Sequence, residues 1–276
     1  MIKKGDSMKN NTKKNNFIIG SVLMMLIISV ISLSGCVNNT ENENALASIH
    51  AYVGAGMQQP MDEIAVEFEK KYNIKVNYDY SGSGALYSKI TASNKGDIYM
   101  PGAYFYIEKL DKEGKIINYT NITKHIPVIV VKNGNPKNIT SIKDLEKENV
   151  KISLGEENIA IGRTIKKILK NAENDNPNMT QKIEKNVVVR GATVKQALMY
   201  VELNQADAAV VWRADAIASD KVDIIPIDSK YNKIKTVPIG ILSLTENRKN
   251  AELFYNFVNN EGKAIFKKYG FEIIDN

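Results

Sequence analysis

Residues 74–92 read IKVNYDYSGSGALYSKITA. Ile74, Val76, Tyr78 and Tyr80 alternate with Lys75, Asn77 and Asp79, the period of a strand with one buried face. Ser81-Gly82-Ser83-Gly84 then breaks the alternation with residues suited to a turn. From Ala85 to Ala92 the spacing becomes helical. The same alternation continues in both directions. Upstream, Ser48–Val53 reads as a short strand, and Pro60–Lys71 as a helix with Met61, Ile64, Ala65 and Phe68 on one face. Downstream, Asp97–Met100 is a brief strand and Tyr104–Glu113 a helix. Ile126–Val131 (IPVIVV) is almost continuously apolar, as expected of a strand buried on both faces. Ser141–Lys147 reads as a short helix, with Ser141 as its cap and Asp144 three residues on.

Further strands are expected at Val150–Leu154, Val187–Val189, Ala208–Val211, Val222–Ile227 and Val237–Leu242. Helices are expected at Gly162–Asn171, Val194–Asn204, Asn250–Asn259 and Glu261–Tyr269, and Glu173–Asn178 reads as a loop. Strands alternating with helices imply an α/β fold with mostly parallel sheets.

Bulk composition narrows the functional classes. Hydrophobic residues make up 43% and charged residues 25% of the 276, the balance of a folded globular protein. The net charge of +6 is concentrated at one end. Residues 1–35 hold Lys3, Lys4, Lys9, Lys13 and Lys14 against Asp6, a net of +4, which leaves +2 for the remainder. So balanced a surface gives no argument for nucleic acid, and no basic stripe interleaved with aromatics is present. Cys36 is the single cysteine, and His50 and His125 are the two histidines. Disulfides, cysteine-cluster metal sites and multi-histidine metal sites are therefore not expected. A cofactor is not expected either, and no nucleophile motif or convincing carboxylate pair suggests an enzyme. Asp97 with Asp215 is the best candidate pair for such chemistry.

The amino terminus reads as an address. Five lysines precede an apolar run from Phe17 to about Leu33, the order of a signal peptide. The run closes on Leu33-Ser34-Gly35-Cys36, which resembles the lipobox of secreted lipoproteins, where the cysteine is lipidated. A plain membrane anchor with an incidental cysteine is the competing reading. Either one places the folded part outside the cytoplasm, and the lipobox reading tethers it to the membrane through Cys36. Residues 36–47 are polar and unpatterned, as a flexible tether would be.

Five stretches together resemble the molybdate-binding proteins of ABC transporters, a branch of the type II periplasmic binding proteins. They are FEKKYNIKV (68–76), YSGSGALYSKI (80–90), IPVIVVKNGNP (126–136), VKQALMYVELNQADAAVVWRAD (194–215) and EGKAIFKKYGF (261–271). The resemblance implies a two-lobed α/β fold with a ligand cleft between the lobes. Lobe one would comprise residues 48–125 plus 238–276 and lobe two residues 126–237. The chain would cross between them near Ile126–Val131 and Val237–Leu242. It further implies a monomeric receptor that captures molybdate or tungstate and passes it to a transporter permease.

A tetrahedral dianion needs converging hydrogen-bond donors, and helix N-termini present unpaired N–H groups with a favourable dipole. The resemblance selects Gly56, Ser83, Ile161 and Val194, and each falls at an expected helix start. Two come from each half. Ser83 would offer hydroxyl and N–H; a plain turn with a helix cap is the alternative. Ile161 and Val194 would act through backbone N–H alone. Gly102 follows Pro101 in a turn at the cleft edge. Trp212 stands where the family has a tyrosine hydroxyl; its indole N–H is also a donor, and core packing is the competing reading. Gly56 replaces a family serine, which removes a hydroxyl and would enlarge the pocket, and Ala103 replaces a family aspartate. Arg163 and Arg190 would supply compensating charge unless they are merely solvated. These departures keep sulfate, phosphate or another small anion open as ligands; a sensor domain and an enzyme on the same fold are separate alternatives.

Overall fold

The computed structural model describes residues 47–275. Strand β1 (Ala47–Gly54) pairs in parallel with β2 (Ile74–Ser81) through helix α1 (Gln58–Tyr72). Helix α1 buries Pro60, Met61, Ile64 and Phe68, the apolar positions of its sequence pattern, and Asn73 ends it in a left-handed conformation. Helix α2 (Ser83–Ser93) leads to β3 (Ile98–Met100), which adds in parallel to the other side of β1. Helix α3 (Tyr104–Lys112) and β4 (Ile116–His125) follow.

The chain then enters a second sheet at β5 (Pro127–Lys132). A single turn of 3-10 helix, Ile142–Glu146, carries the expected capping box between Ser141 and Asp144. Next come β6 (Ile152–Gly155), α4 (Ala160–Ala172), α5 (Met179–Asn186), β7 (Val187–Gly191), α6 (Val194–Glu202), β8 (Ala208–Trp212), α7 (Arg213–Ile217) and β9 (Val222–Pro226). Strand β10 (Lys235–Leu242) returns to the first sheet. Helices α8 (Arg248–Phe257) and α9 (Lys263–Lys268) and the two-residue β11 (Glu272–Ile273) complete the chain.

The result is the expected α/β fold of two lobes. One sheet has the order β11-β4-β10-β3-β1-β2 and the other β7-β6-β8-β5-β9. Phe68, Ile98, Ile239 and Phe254 belong to the main core of lobe one. Ile129, Ile152, Ile168 and Val210 belong to that of lobe two.

Both sheets are mixed rather than mostly parallel. In each, three parallel strands (β2-β1-β3 and β7-β6-β8) are extended by antiparallel neighbours. The antiparallel members include β4, β5 and β10, which flank the passages between lobes. Those passages lie at residues 125–127 and 226–235. A boundary drawn at 237/238 cuts β10, whose Lys235, Thr236 and Val237 already pair with His125, Lys124 and Thr123. Ala47, read as the end of the tether, pairs with Ile74. The stretch read as a signal peptide, Cys36 and the rest of the expected tether lie outside the described residues.

Candidate functional site

Strand directions place six loops along one joint. Because β1, β2 and β3 are parallel, their carboxyl ends share an edge. Strand β10 runs against β3, and β4 against β10, so β4 also ends at that edge, at His125. In the other sheet β6, β7 and β8 are parallel, and β5 begins opposite the end of β8, with Pro127 paired to Trp212. His125 and Pro127 are two residues apart, so the two carboxyl edges meet at the first passage. Ligands of open α/β sheets bind outside the carboxyl ends of the strands. All six expected residues follow these strand ends. Gly56, Ser83 and Gly102 come after β1, β2 and β3, while Ile161 and Val194 come after β6 and β7, and Trp212 ends β8.

A direct contact joins two of the six, Ser83 and Gly102, and His125 lies against Gly56, Gly102 and Trp212. Ser83 opens α2, one residue beyond its N-cap Gly82, and its hydroxyl makes no capping bond. Instead the Gly102 N–H donates to Ser83 Oγ at 2.9 Å, tying the β2 and β3 loops. Tyr99 donates its hydroxyl to the Ser83 carbonyl at 2.8 Å from below. In the Gly102 bond the Ser83 hydroxyl acts as acceptor, so its hydrogen is not used. Trp212 is 5% exposed and packs into the core of lobe two. Its ring stacks on His125 at 4.9 Å between centroids.

Ile161 and Val194 reach the joint through strand direction alone. Helix α4 starts at Ala160, so Ile161 is its second residue, with a buried side chain lying against Gly155. Gly162 is obligatory there, because a Cβ would lie 1.9 Å from the Glu156 carbonyl oxygen. Val194 opens α6, and Thr193 caps the helix by accepting from the Gln196 N–H at 3.1 Å. The Gln196 side chain in turn accepts from the Ala192 N–H at 2.9 Å. Those bonds leave the N–H groups of Val194 and Lys195 as the open donors of the first turn.

His125 is the residue that sequence reasoning passed over. It is 6% exposed, and its ring lies between Trp212 and Phe271, the latter 5.5 Å away. A Cβ on Gly56 would lie 2.8 Å from His125 Cε1, and one on Gly102 3.8 Å from the same atom. The imidazole therefore fills the space that the missing Gly56 side chain was expected to open, and the pocket is not enlarged. Burial, aided by the Lys235 charge, pushes the His125 pKa down to about 4, so the ring is neutral at pH 7. Its Nε2 is buried without a hydrogen-bond partner.

Other sequence candidates take structural roles. Asp97 precedes β3 and so lies at the amino edge, where its carboxylate accepts from the His50 N–H at 2.7 Å and from the Thr245 hydroxyl. It is not paired with Asp215, which sits in α7 beyond Trp212. Burial, opposed by Lys195, raises the Asp215 pKa to about 6. Arg190 is held by Glu184 and the Gly155 carbonyl, and Arg163 donates to the Asn158 carbonyl. Among the described residues, no group of three or more His, Cys, Asp or Glu side chains is placed to hold a metal ion. A groove of about 730 Å³ is lined by α9, the carboxyl-terminal segment and part of α7. It includes none of the six expected residues.

Two α/β lobes joined by two passages, with three loops from each meeting at the joint, define a protein built to hold a ligand between lobes. The chain belongs to the bacterial extracellular solute-binding protein family, whose pattern matches residues 49–272. A Bacillus subtilis protein named as a putative ABC transporter substrate-binding lipoprotein, YvgL, is 29% identical over 91% of this chain and 97% of its own. A putative binding protein of Haemophilus influenzae is 28% identical over 82% and 91%. The molybdate-binding protein ModA of Escherichia coli is 25% identical over 83% and 92%. In fold, the chain is similar to the substrate-binding domain of a putative molybdenum ABC transporter from Clostridium difficile. The TM-score is 0.70 at 23% identity, covering 83% of this chain and 100% of that one. It is also similar to the sulfate-binding protein SubI of Mycobacterium tuberculosis, with a TM-score of 0.67 at 18% identity, covering 83% and 88%. These relatives are named as binding proteins, in keeping with a non-enzymatic role.

Proposed function

We propose that the chain is an extracytoplasmic receptor that captures a tetrahedral oxyanion, molybdate or tungstate, and delivers it to the permease of an ABC transporter. The observation that carries this reading is the convergence of the six loop ends, with Ser83 and Gly102 locked together at one side. Backbone N–H groups from Gly56, Ser83, Ile161 and Val194, with the Ser83 hydroxyl and the Trp212 indole N–H, would surround the anion. Donors from both lobes reward closure, since neither lobe alone completes the shell. The anion is the transported solute; no resident cofactor is invoked. Lipidation of Cys36 would hold the receptor beside its permease, as the name of the Bacillus subtilis relative suggests for that protein.

Sulfate is the second reading, favoured by the fold shared with a sulfate-binding protein. Thermal unfolding against molybdate, tungstate, sulfate, phosphate and nitrate separates the two. A ligand at 100 times its Kd stabilises by about 2.7 kcal/mol. Stabilisation by molybdate and tungstate alone supports the first reading, and stabilisation by sulfate alone supports the second. No response to any of the five removes the oxyanion assignment.

A further inference from the structure

Lys235 opens β10 directly opposite His125, its cross-strand partner in the register with β4. Its Nζ lies 5.1 Å from the centre of the Trp212 ring. The indole therefore contacts both residues, His125 by stacking and Lys235 as a cation over the ring. Among the described residues Lys235 has no carboxylate partner. The charged groups that act on it are Lys167 and Arg163, one turn apart on α4, and both are positive. Asp215, the acid nearest in sequence to Trp212, is engaged electrostatically by Lys195 on α6. Burial, followed by those two like charges, brings the Lys235 pKa down to about 8. His125 adds a buried, unpartnered Nε2, 3.3 Å from where a Gly56 Cβ would stand. A half-buried ammonium without a counter-charge and a buried imidazole nitrogen without a partner thus sit side by side where the loops converge.

We infer that Lys235 and His125 form the floor of the cleft, where the ammonium offsets one of the two charges of an oxyanion and the neutral His125 donates to it through Nε2–H. The inference rests on the oxyanion reading and deepens it, adding a full charge to a shell otherwise made of neutral donors. An unpaired buried cation is unfavourable in the empty protein, and a dianion relieves that condition. Lys235 must hold its proton to act. With an unliganded pKa of about 8, the protonated fraction falls about tenfold between pH 7 and pH 9, and apparent affinity falls with it.

The test is calorimetric titration of the full chain with molybdate and sulfate at pH 7, 8 and 9. Phosphate is left out because it titrates in the same window. Lys235→Met keeps the apolar stem over Trp212 and removes the charge, Lys235→Arg keeps the charge, and His125→Phe keeps the stacked ring and removes the nitrogen. Expected are a loss of tenfold or more in Lys235→Met and in His125→Phe at pH 7, and rescue to within about threefold in Lys235→Arg. Wild-type affinity should fall about tenfold from pH 7 to pH 9, against a flat profile in Lys235→Met. A wild type that binds, beside a Lys235→Met variant of equal affinity and equal pH profile, overturns the inference and leaves the oxyanion reading standing. A wild type that binds neither anion overturns both.

Discussion

Replacing Gly56 by alanine would place a methyl carbon 2.8 Å from His125 Cε1, well inside contact distance. Gly56 itself is exposed, but the ring it meets is 6% exposed and held by Trp212 at 4.9 Å and Phe271 at 5.5 Å. Neither ring plane offers room to retreat. Forcing an extra carbon into a packed site costs about 1–3 kcal/mol. Alanine also narrows the unfolded ensemble, which returns about 0.4–1 kcal/mol. The net loss is therefore centred on about 1–2 kcal/mol, and at about 2–4 °C per kcal/mol for a domain of this size Tm falls by roughly 2–8 °C. The assay is thermal unfolding of wild type, Gly56→Ala, His125→Ala and the double variant. In the double variant the clash disappears, so the cost of Gly56→Ala should drop to near zero in the His125→Ala background, a coupling of about 1–2 kcal/mol. An unchanged Tm in Gly56→Ala would refute the reasoning by showing that the loop gives way. An equal cost in both backgrounds would refute the contact as its cause.

Three further outcomes are expected. Ser83→Ala removes a hydroxyl that ties the Gly102 loop and, on the oxyanion reading, donates to the ligand; hydrogen bonds to charged groups contribute about 1.5–3 kcal/mol, so calorimetry should show oxyanion affinity falling by about 10- to 100-fold, and an unchanged Kd removes Ser83 from the site. Asp215 has its folded pKa raised to about 6, so its burial lowers stability as pH rises through the interval from about 4 to 6; Asp215→Asn should therefore stabilise by about 2 kcal/mol at pH 7 and not at pH 4, as urea unfolding at the two pH values would show. Trp212 is the single tryptophan and lies against His125 and Lys235, so its emission should change on saturation with the bound anion, and a silent signal under calorimetric saturation would place the ligand elsewhere.

What the sequence disclosed and what it hid follow from how local each feature is. The strand-turn-helix at 74–92 is legible because its alternation, its glycines and its helical spacing are all neighbours in the chain, and β2 and α2 fall within two residues of the expected bounds. Strand β4 escaped notice. Its sequence, IINYTNITKH, carries asparagines and a half-exposed burial pattern, yet it is held from both sides by β10 and β11. That pairing is long-range, and no local propensity reports it. Helix α5 was hidden for a related reason. It follows a turn-rich loop and buries just Met179 and Ile183, too few positions to show a period.

The site divides along the same line. Each of the six expected positions marks a strand end or a helix start, which local pattern and family resemblance select together. His125 ends β4, a strand that the local pattern did not disclose. It reads as an isolated histidine after a polar stretch, and its meaning depends on Gly56, Trp212, Phe271 and Lys235, residues 69, 87, 146 and 110 positions away. The one available signal was subtractive. Where the family resemblance calls for a serine, glycine leaves a space, and in a close-packed protein a lost side chain is ordinarily answered by another group. Two of the departures from the family pattern, Gly56 and Trp212, lie against the same imidazole, one at its edge and one on its face. Positions that look independent along the chain thus meet at one imidazole, which stacks on Trp212 and faces Lys235 across the strand pair.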